Sequence, residues 1–243
     1  MNTMKSVINR ILRPLGIKVV RSQRGDLKPW DKFFIDCVKE YKRTGIDPND
    51  ILDKRWKNED IFFPTYLKPL LKSGIIALEV GPGTGRYTRH VVPYCHEIYL
   101  VDYSQYCCEF LREYFKGKEG IHIIHNEGEE KLPVPDNTVD LVFSISTFVH
   151  LYLETIYWYF EESYRLLRRG GRALINYASM MDSHGYQFFL SYLPENAFTK
   201  RTAFRFYHPE MIGKIAKEIG FHVEMNTTHE NQRGYSFILL SKT

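Results

Sequence analysis

Apolar positions at helical spacing dominate the first third of the chain, and from Ile75 onward the rhythm changes to alternating strands and helices. Val7, Ile8, Ile11, Leu12 and Leu15 form one stripe, with Arg10 and Arg13 on other faces and Pro14 ending or kinking the helix. Trp30, Phe33, Phe34, Cys37, Val38 and Tyr41 form a second stripe, broken by Gly45 and by Asp47-Pro48-Asn49-Asp50. The spacing predicts another helix over 63–71, ending near Gly74. Ile75–Val80 is then an uninterrupted apolar run of the buried-strand kind, and Gly81-Pro82-Gly83-Thr84-Gly85 leads from it into a helix beginning near Arg86. Further strands are predicted at 97–101, 121–124, 139–143 and 172–177. Ser104 is placed to cap a helix with Cys107, Phe110, Leu111 and Tyr114 on its inner face. Ile156, Phe160, Tyr164 and Leu167 mark another helix, with Arg168 and Arg169 at its negative end and Gly170-Gly171 terminating it. His208-Pro209-Glu210 opens the last helix, and Gly220 lies just past its end. Two strands at 221–227 and 235–241 follow with no helix between them, so they must pair antiparallel. The pattern specifies an α/β fold: a Rossmann-like open sheet of seven strands, mostly parallel, with helices on both faces and an antiparallel C-terminal edge hairpin.

The 243 residues divide by this pattern into a leading segment 1–24, a helical cap 25–74 and a main domain 75–243. Charge separates the leading segment further. It carries Lys5, Arg10, Arg13, Lys18, Arg21 and Arg24 with no acid, so the remainder is slightly acidic although the whole chain has a formal charge of +4. A near-neutral body gives no reason to expect a nucleic-acid partner. The arginines interrupt any signal-like apolar core, and the segment reads either as an interfacial helix on anionic lipid or as a terminal helix packed on protein. Cys37, Cys95, Cys107 and Cys108 show neither C-x-x-C pairing nor zinc spacing, which points to thiols in a reducing cytoplasm and to no bound metal.

Chemistry concentrates after the first predicted strand. In sheets of this kind ligands bind at the carboxyl ends of strands, where strand order reverses, and glycines there bring backbone close to the ligand. A dinucleotide fingerprint would require glycine at position 86, which is Arg86. Glu79 places a carboxylate where a cationic amino group is welcome and a pyrophosphate is repelled. Asp102 ends the second strand, where an acid can take ribose hydroxyls.

Glu79-Val80-Gly81-Pro82-Gly83-Thr84-Gly85, with Val101-Asp102 downstream, resembles the first two motifs of class I S-adenosylmethionine-dependent methyltransferases. Asn126-Glu127-Gly128-Glu129-Glu130 resembles that family's acidic loop after strand three, and 132–140 resembles its lead into strand four. The similarity spans about 75–178. It implies S-adenosylmethionine as cofactor, with Glu79 facing the methionine amino group and Gly81, Gly83 and Gly85 beneath. It also implies Asp102 on the ribose, Glu127 and Gly128 at adenine, and Tyr103 and Ser144 against the cofactor. Either Glu127 or Glu129 would meet the adenine amine, and Arg86 reads as a carboxylate contact or as a solvated helix residue.

The acceptor is less defined. No Asn/Asp-Pro-Pro-aromatic run and no cysteine mark the strand ends, which argues against base, glutamine-amide and cytosine C5 methylation. His150, just beyond strand four, is the candidate general base, with His184 and His208 as weaker ones. The segment 179–207 is long for a connection and carries Tyr186, Phe188, Phe189, Tyr192, Phe198, Phe204, Phe206 and Tyr207, an aromatic set fit either to cover a substrate or to form a small core. Gly16-Ile17-Lys18-Val19-Val20-Arg21 is similar to the openings of bacterial enzymes that modify surface polysaccharides, which implies a sugar or another small hydroxylated acceptor. Competing readings are an amine N-methyltransferase, a nicotinamide-dependent oxidoreductase or epimerase, and a non-catalytic S-adenosylmethionine-binding subunit.

Overall fold

The strands are β1 (Ile75–Val80), β2 (Cys95–Asp102), β3 (Ile121–His125), β4 (Val139–Ser144), β5 (Leu167–Ala178), β6 (His222–Thr228) and β7 (Tyr235–Ser241). In this computed structural model, which describes residues 28–59, 61–196, 204–228 and 234–243, they form one sheet in the order β3-β2-β1-β4-β5-β7-β6. The first five run parallel, and β7 is antiparallel to both β5 and β6. The helices are α1 (Lys28–Thr44), α2 (Pro48–Arg55), α3 (Thr88–Val91), α4 (Gln105–Tyr114), α5 (Leu153–Leu166), α6 (Ser183–Asn196) and α7 (Pro209–Ile219). Residues 1–24, for which a membrane or packing role was expected, lie outside the described residues, as do Phe198 and the side chain of Tyr192.

The unbroken apolar run of β1 is explained by its two covered faces. Leu78 and Val80 pack with Ile156 and Phe160 of α5 and with Ile212 and Ala216 of α7. Ala77 faces the opposite cluster, which holds Val91 of α3, Leu111 of α4, and Phe62 and Leu67 from the stretch preceding β1. Full burial of a side chain such as Phe62 contributes about 1.5–3 kcal/mol. Helix ends follow local chemistry. Ser104 Oγ accepts from Cys107 N at 3.2 Å to open α4. Gly220, at φ 117°, ends α7 in the left-handed conformation that glycine alone adopts freely.

Three local predictions are corrected. Over 63–71 there is a π-helical turn (Phe63–Leu67) followed by a 3-10 turn (Lys68–Leu70), because Pro64 and Pro69 cannot donate in a continuous α-ladder. The helix near Arg86 shrinks to the single turn α3, behind turns that hold 83–87. The helix through Ile156 stops at Leu166, so Arg168, Arg169 and Gly170-Gly171 belong to β5 rather than to a helix end. Its last carbonyls are met by Asn137 N (3.1 Å to Arg165 O) and Thr138 N (2.9 Å to Leu166 O), which removes the need for a glycine cap. The glycines instead sit in the register shift where Val139 pairs Leu167 but Leu141 pairs Arg172. The long segment after β5 contains α6, and Phe206 returns to bridge Ala178.

At the switch point, the Ser144 hydroxyl donates to Val80 O at 2.7 Å and ties the carboxyl ends of β4 and β1 together. Ser144→Ala should lower stability by about 1 kcal/mol, read by urea denaturation.

Candidate active site

β1 delivers the chain into a loop that leaves no room for side chains. Gly81 and Gly83 have φ values of 72° and 57°. A Cβ on Gly81 would lie 2.2 Å from Thr147 Oγ1, and one on Gly83 would lie 2.8 Å from the Phe34 ring. The cavity beside this loop has a volume of 390 Å3. Its wall combines the glycine loop and β2 end with Phe34, Leu52, Trp56 and Glu59 from the N-terminal helical layer, and with Phe188, Phe204 and Tyr235 from the C-terminal half.

Six of the residues singled out in the sequence line this cavity: Glu79, Gly81, Gly83, Asp102, Tyr103 and His150. Four do not. Gly85 turns the chain against Leu111 and Phe115. Ser144 is fully buried, its hydroxyl occupied by Val80 O. Asn126 Oδ1 accepts from Gly128 N (2.9 Å) and Glu129 N (3.1 Å), a turn that leaves Glu127 exposed and outside the wall together with Gly128. Tyr159 of α5, which the sequence reading did not single out, lines the cavity and is linked to Asn126 Nδ2 at 3.4 Å.

The electrostatics are set by carboxylates at strand ends. Glu79 is 2% exposed and accepts from Thr88 Oγ1 at 2.5 Å. Burial pushes its carboxyl up to about 8; the Thr88 hydroxyl opposes that rise and the charge of Asp102 adds to it. Asp102 Oδ2 accepts from Gly83 N at 3.0 Å and Oδ1 from Ser104 N at 2.8 Å, so one side chain orders both the glycine loop and the start of α4. Arg86 is not a solvated helix residue, and the carboxylates it contacts belong to the chain itself. It is buried, with Nε 2.6 Å from Asp53 and Nη1 2.7 Å from Glu59, and its guanidinium lies over Trp56 and Tyr87. With Glu79 protonated below about pH 8 and Glu59 paired with Arg86, the charge of Asp102 leaves the wall net negative, a balance that favours a cationic ligand.

Residues 78–175 match the family model described as "Methyltransferase domain". Over residues 78–175 this chain carries a methyltransferase domain. The fold of the methyltransferase domain recurs in a SAM-dependent methyltransferase from Aquifex aeolicus (21% identity, 80% of this chain and 97% of that one, TM-score 0.58). It recurs also in the PH0226 protein from Pyrococcus horikoshii OT3 (21% identity, 79% and 91%, TM-score 0.60). A stretch of 57 residues is 37% identical to ribosomal RNA small subunit methyltransferase A of Natranaerobius thermophilus, spanning 24% of this chain and 19% of that relative.

S-adenosylmethionine is the cofactor of the methyltransferase domain, and the residues present fit it. The buried Glu79 is a counter-charge for an ammonium group, the glycine cradle admits no Cβ, and Asp102 stands at the end of the neighbouring strand. Among the described residues, no cluster of His, Cys, Asp and Glu could hold a metal, and no helix is long and apolar enough to cross a membrane.

Because the Glu79 carboxyl titrates near 8 in the fold against an ordinary 4.5, the stability it contributes is complete below about 4.5 and is lost as pH rises through about 8. Wild type should therefore lose stability relative to Glu79→Gln between about pH 5 and pH 9, in thermal melts at matched ionic strength. Parallel curves for the two proteins would place the Glu79 carboxyl in a solvated setting.

Proposed function

We propose that the domain moves the methyl group of S-adenosylmethionine onto a hydroxyl of a small acceptor, a sugar being the first class to test, with His150 accepting the proton. The observation that carries this reading is the place of His150. It closes the turn after β4 on the wall of the cavity that also holds Glu79 and Asp102, and its ring lies 5.0 Å from Phe204. Phe204 is 5.1 Å from Phe188 and 6.1 Å from Tyr235, so aromatic surface suited to the apolar face of a sugar adjoins the imidazole.

When bound, the cofactor supplies a methyl group on a positively charged sulfur, and transfer makes a C–O bond as the S–CH3 bond breaks, leaving a neutral thioether. The chain's own part is orientation and proton removal. Glu79 and Asp102 fix one ligand, Phe188, Phe204 and Tyr235 bound the space for the other, and the hydroxyl proton passes to the imidazole. Holding two reactants in line is worth ~7–11 kcal/mol, and a general base adds ~10²–10⁴-fold. Positioning is the larger effect.

An assay of methyl release over sugar, lipid and amine panels identifies the acceptor class. With an alcohol acceptor, His150→Ala should keep S-adenosylhomocysteine affinity and lower turnover by about 10²–10⁴-fold. The wild-type rate should rise with pH through imidazole deprotonation, since only neutral histidine accepts a proton, and that limb should vanish in the variant. A limb that survives in the variant would instead report an amine acceptor losing its own proton. Near-normal turnover with the limb intact would remove His150 from the chemistry.

The basic segment 1–24 is proposed to hold the protein at an anionic membrane surface. The full chain should co-sediment with phosphatidylserine vesicles and be released by high salt, and a chain starting at Gln23 should not bind. Equal sedimentation of both would end that reading.

A further inference from the structure

Glu59 closes a 3-10 turn, Lys57–Glu59, just after α2, and is 2% exposed. Its carboxylate is a meeting point for distant parts of the chain. Oε2 accepts from Arg86 Nη1 at 2.7 Å and from Ser146 Oγ at 3.2 Å, and Oε1 accepts from the Tyr235 hydroxyl at 2.9 Å. The donors belong to the glycine loop, to the turn after β4 and to β7, and all of them line the cavity, as does Glu59.

Of these donors, Ser146 most needs a partner to hold it. Its φ of 63° is left-handed, a conformation shared among the described non-glycine residues only by Asn137. Its N–H donates to Asn176 Oδ1 at 3.0 Å while its hydroxyl reaches Glu59, so backbone and side chain are both tied. What the turn carries onward is the acceptor side of the cavity. Thr147 Oγ1 donates to Gly81 O at 3.1 Å, and His150 N closes on Thr147 O at 3.0 Å. On the other side, Glu59 and Asp53 hold Arg86, and Asn49 exchanges two hydrogen bonds with Thr84, 3.0 and 2.8 Å. The helical layer is thereby fastened over the glycine loop.

We propose that Glu59 is a positioning residue for methyl transfer: one carboxylate fixes together the helical layer over the cofactor side and the strained turn that presents His150. A neutral residue of the same shape cannot do both: Gln offers one acceptor oxygen where Glu59 offers two, so Arg86 is left with the charge of Asp53 alone and the donors Arg86, Ser146 and Tyr235 cannot all keep their acceptor. The inference rests on the reading of His150 as an acceptor-side residue, but its test needs no acceptor.

Glu59→Gln keeps the side-chain length and removes the charge. In the full chain with S-adenosylhomocysteine bound, amide hydrogen exchange should quicken about tenfold over residues 48–56 and also over 144–151, while residues 106–124 exchange as in wild type. The imidazole resonances of His150, assigned by their loss in His150→Ala, should shift in the same variant. Faster exchange over 48–56 alone, with 144–151 and the imidazole unchanged, would reduce Glu59 to a fastening of the helical layer and overturn the proposal. Should Glu59→Gln fail to fold, Ser146→Ala removes the same link from its other end, and an unmoved imidazole there overturns it equally. A His150→Ala enzyme with normal turnover would defeat the general-base reading while leaving these measurements intact, so the two failures are distinguishable.

Discussion

Everything in this molecule is arranged around a crevice that the sheet cannot avoid opening. β1 pairs in parallel with β2 on one side and with β4 on the other, and the chain leaves these strands in opposite directions. At that point the backbone must cross above β1 with almost no clearance, between Thr147 and the Phe34 ring. Glycine is required there because any Cβ would occupy space already filled by the two elements that wall the cavity. The same crowding brings Glu79 and Asp102 side by side at the strand ends, with the cost of burial resting on Glu79.

Charge then decides what closes the crevice. The helical layer contributes Asp47, Asp50, Asp53 and Glu59, and the loop and α3 answer with Arg86 and Arg89. These pairs are unequal. Arg89 with Asp50, half exposed, is worth about 0–1 kcal/mol. Arg86–Glu59 is buried on both sides, and removing Glu59 would leave the guanidinium with the part-exposed Asp53 as its remaining carboxylate, a larger loss than at Arg89 but short of the ~3–5 kcal/mol of a buried charge left wholly unpaired. A buried pair of this kind specifies geometry more than it adds stability.

The C-terminal part of the cavity wall is built differently. It is aromatic, drawn from α6, from the segment that returns at Phe206 and from β7, and it is organised by packing rather than by charge. Arg205 lies over the exposed Tyr152 ring, its N–H donates to Val149 O and its Nε to His150 O, so this returning segment is fixed directly to the turn that holds the histidine. Charged and aromatic residues thus share one cavity wall and meet where the Tyr235 hydroxyl donates to Glu59.

The sequence by itself determined the elements and their type wherever local physics is sufficient. The continuous run of β1, the Ser104 and His208 caps, the Gly220 stop and the antiparallel pairing of β6 with β7 all act within a few residues, and all follow from periodicity and capping. Local reading failed where a remote partner replaced a local device. Gly170-Gly171 resembled a helix stop until the chain before β4 supplied donors for the last carbonyls of α5. Glu59 carried no mark in the sequence, and Arg86 stood out there without its partners. They lie 27 residues apart, and Glu59 meets Tyr235 across 176. Only the tertiary structure could assign them, because a buried charge is tolerated only where a specific counter-charge arrives, and that arrival is a property of the packed chain rather than of any segment.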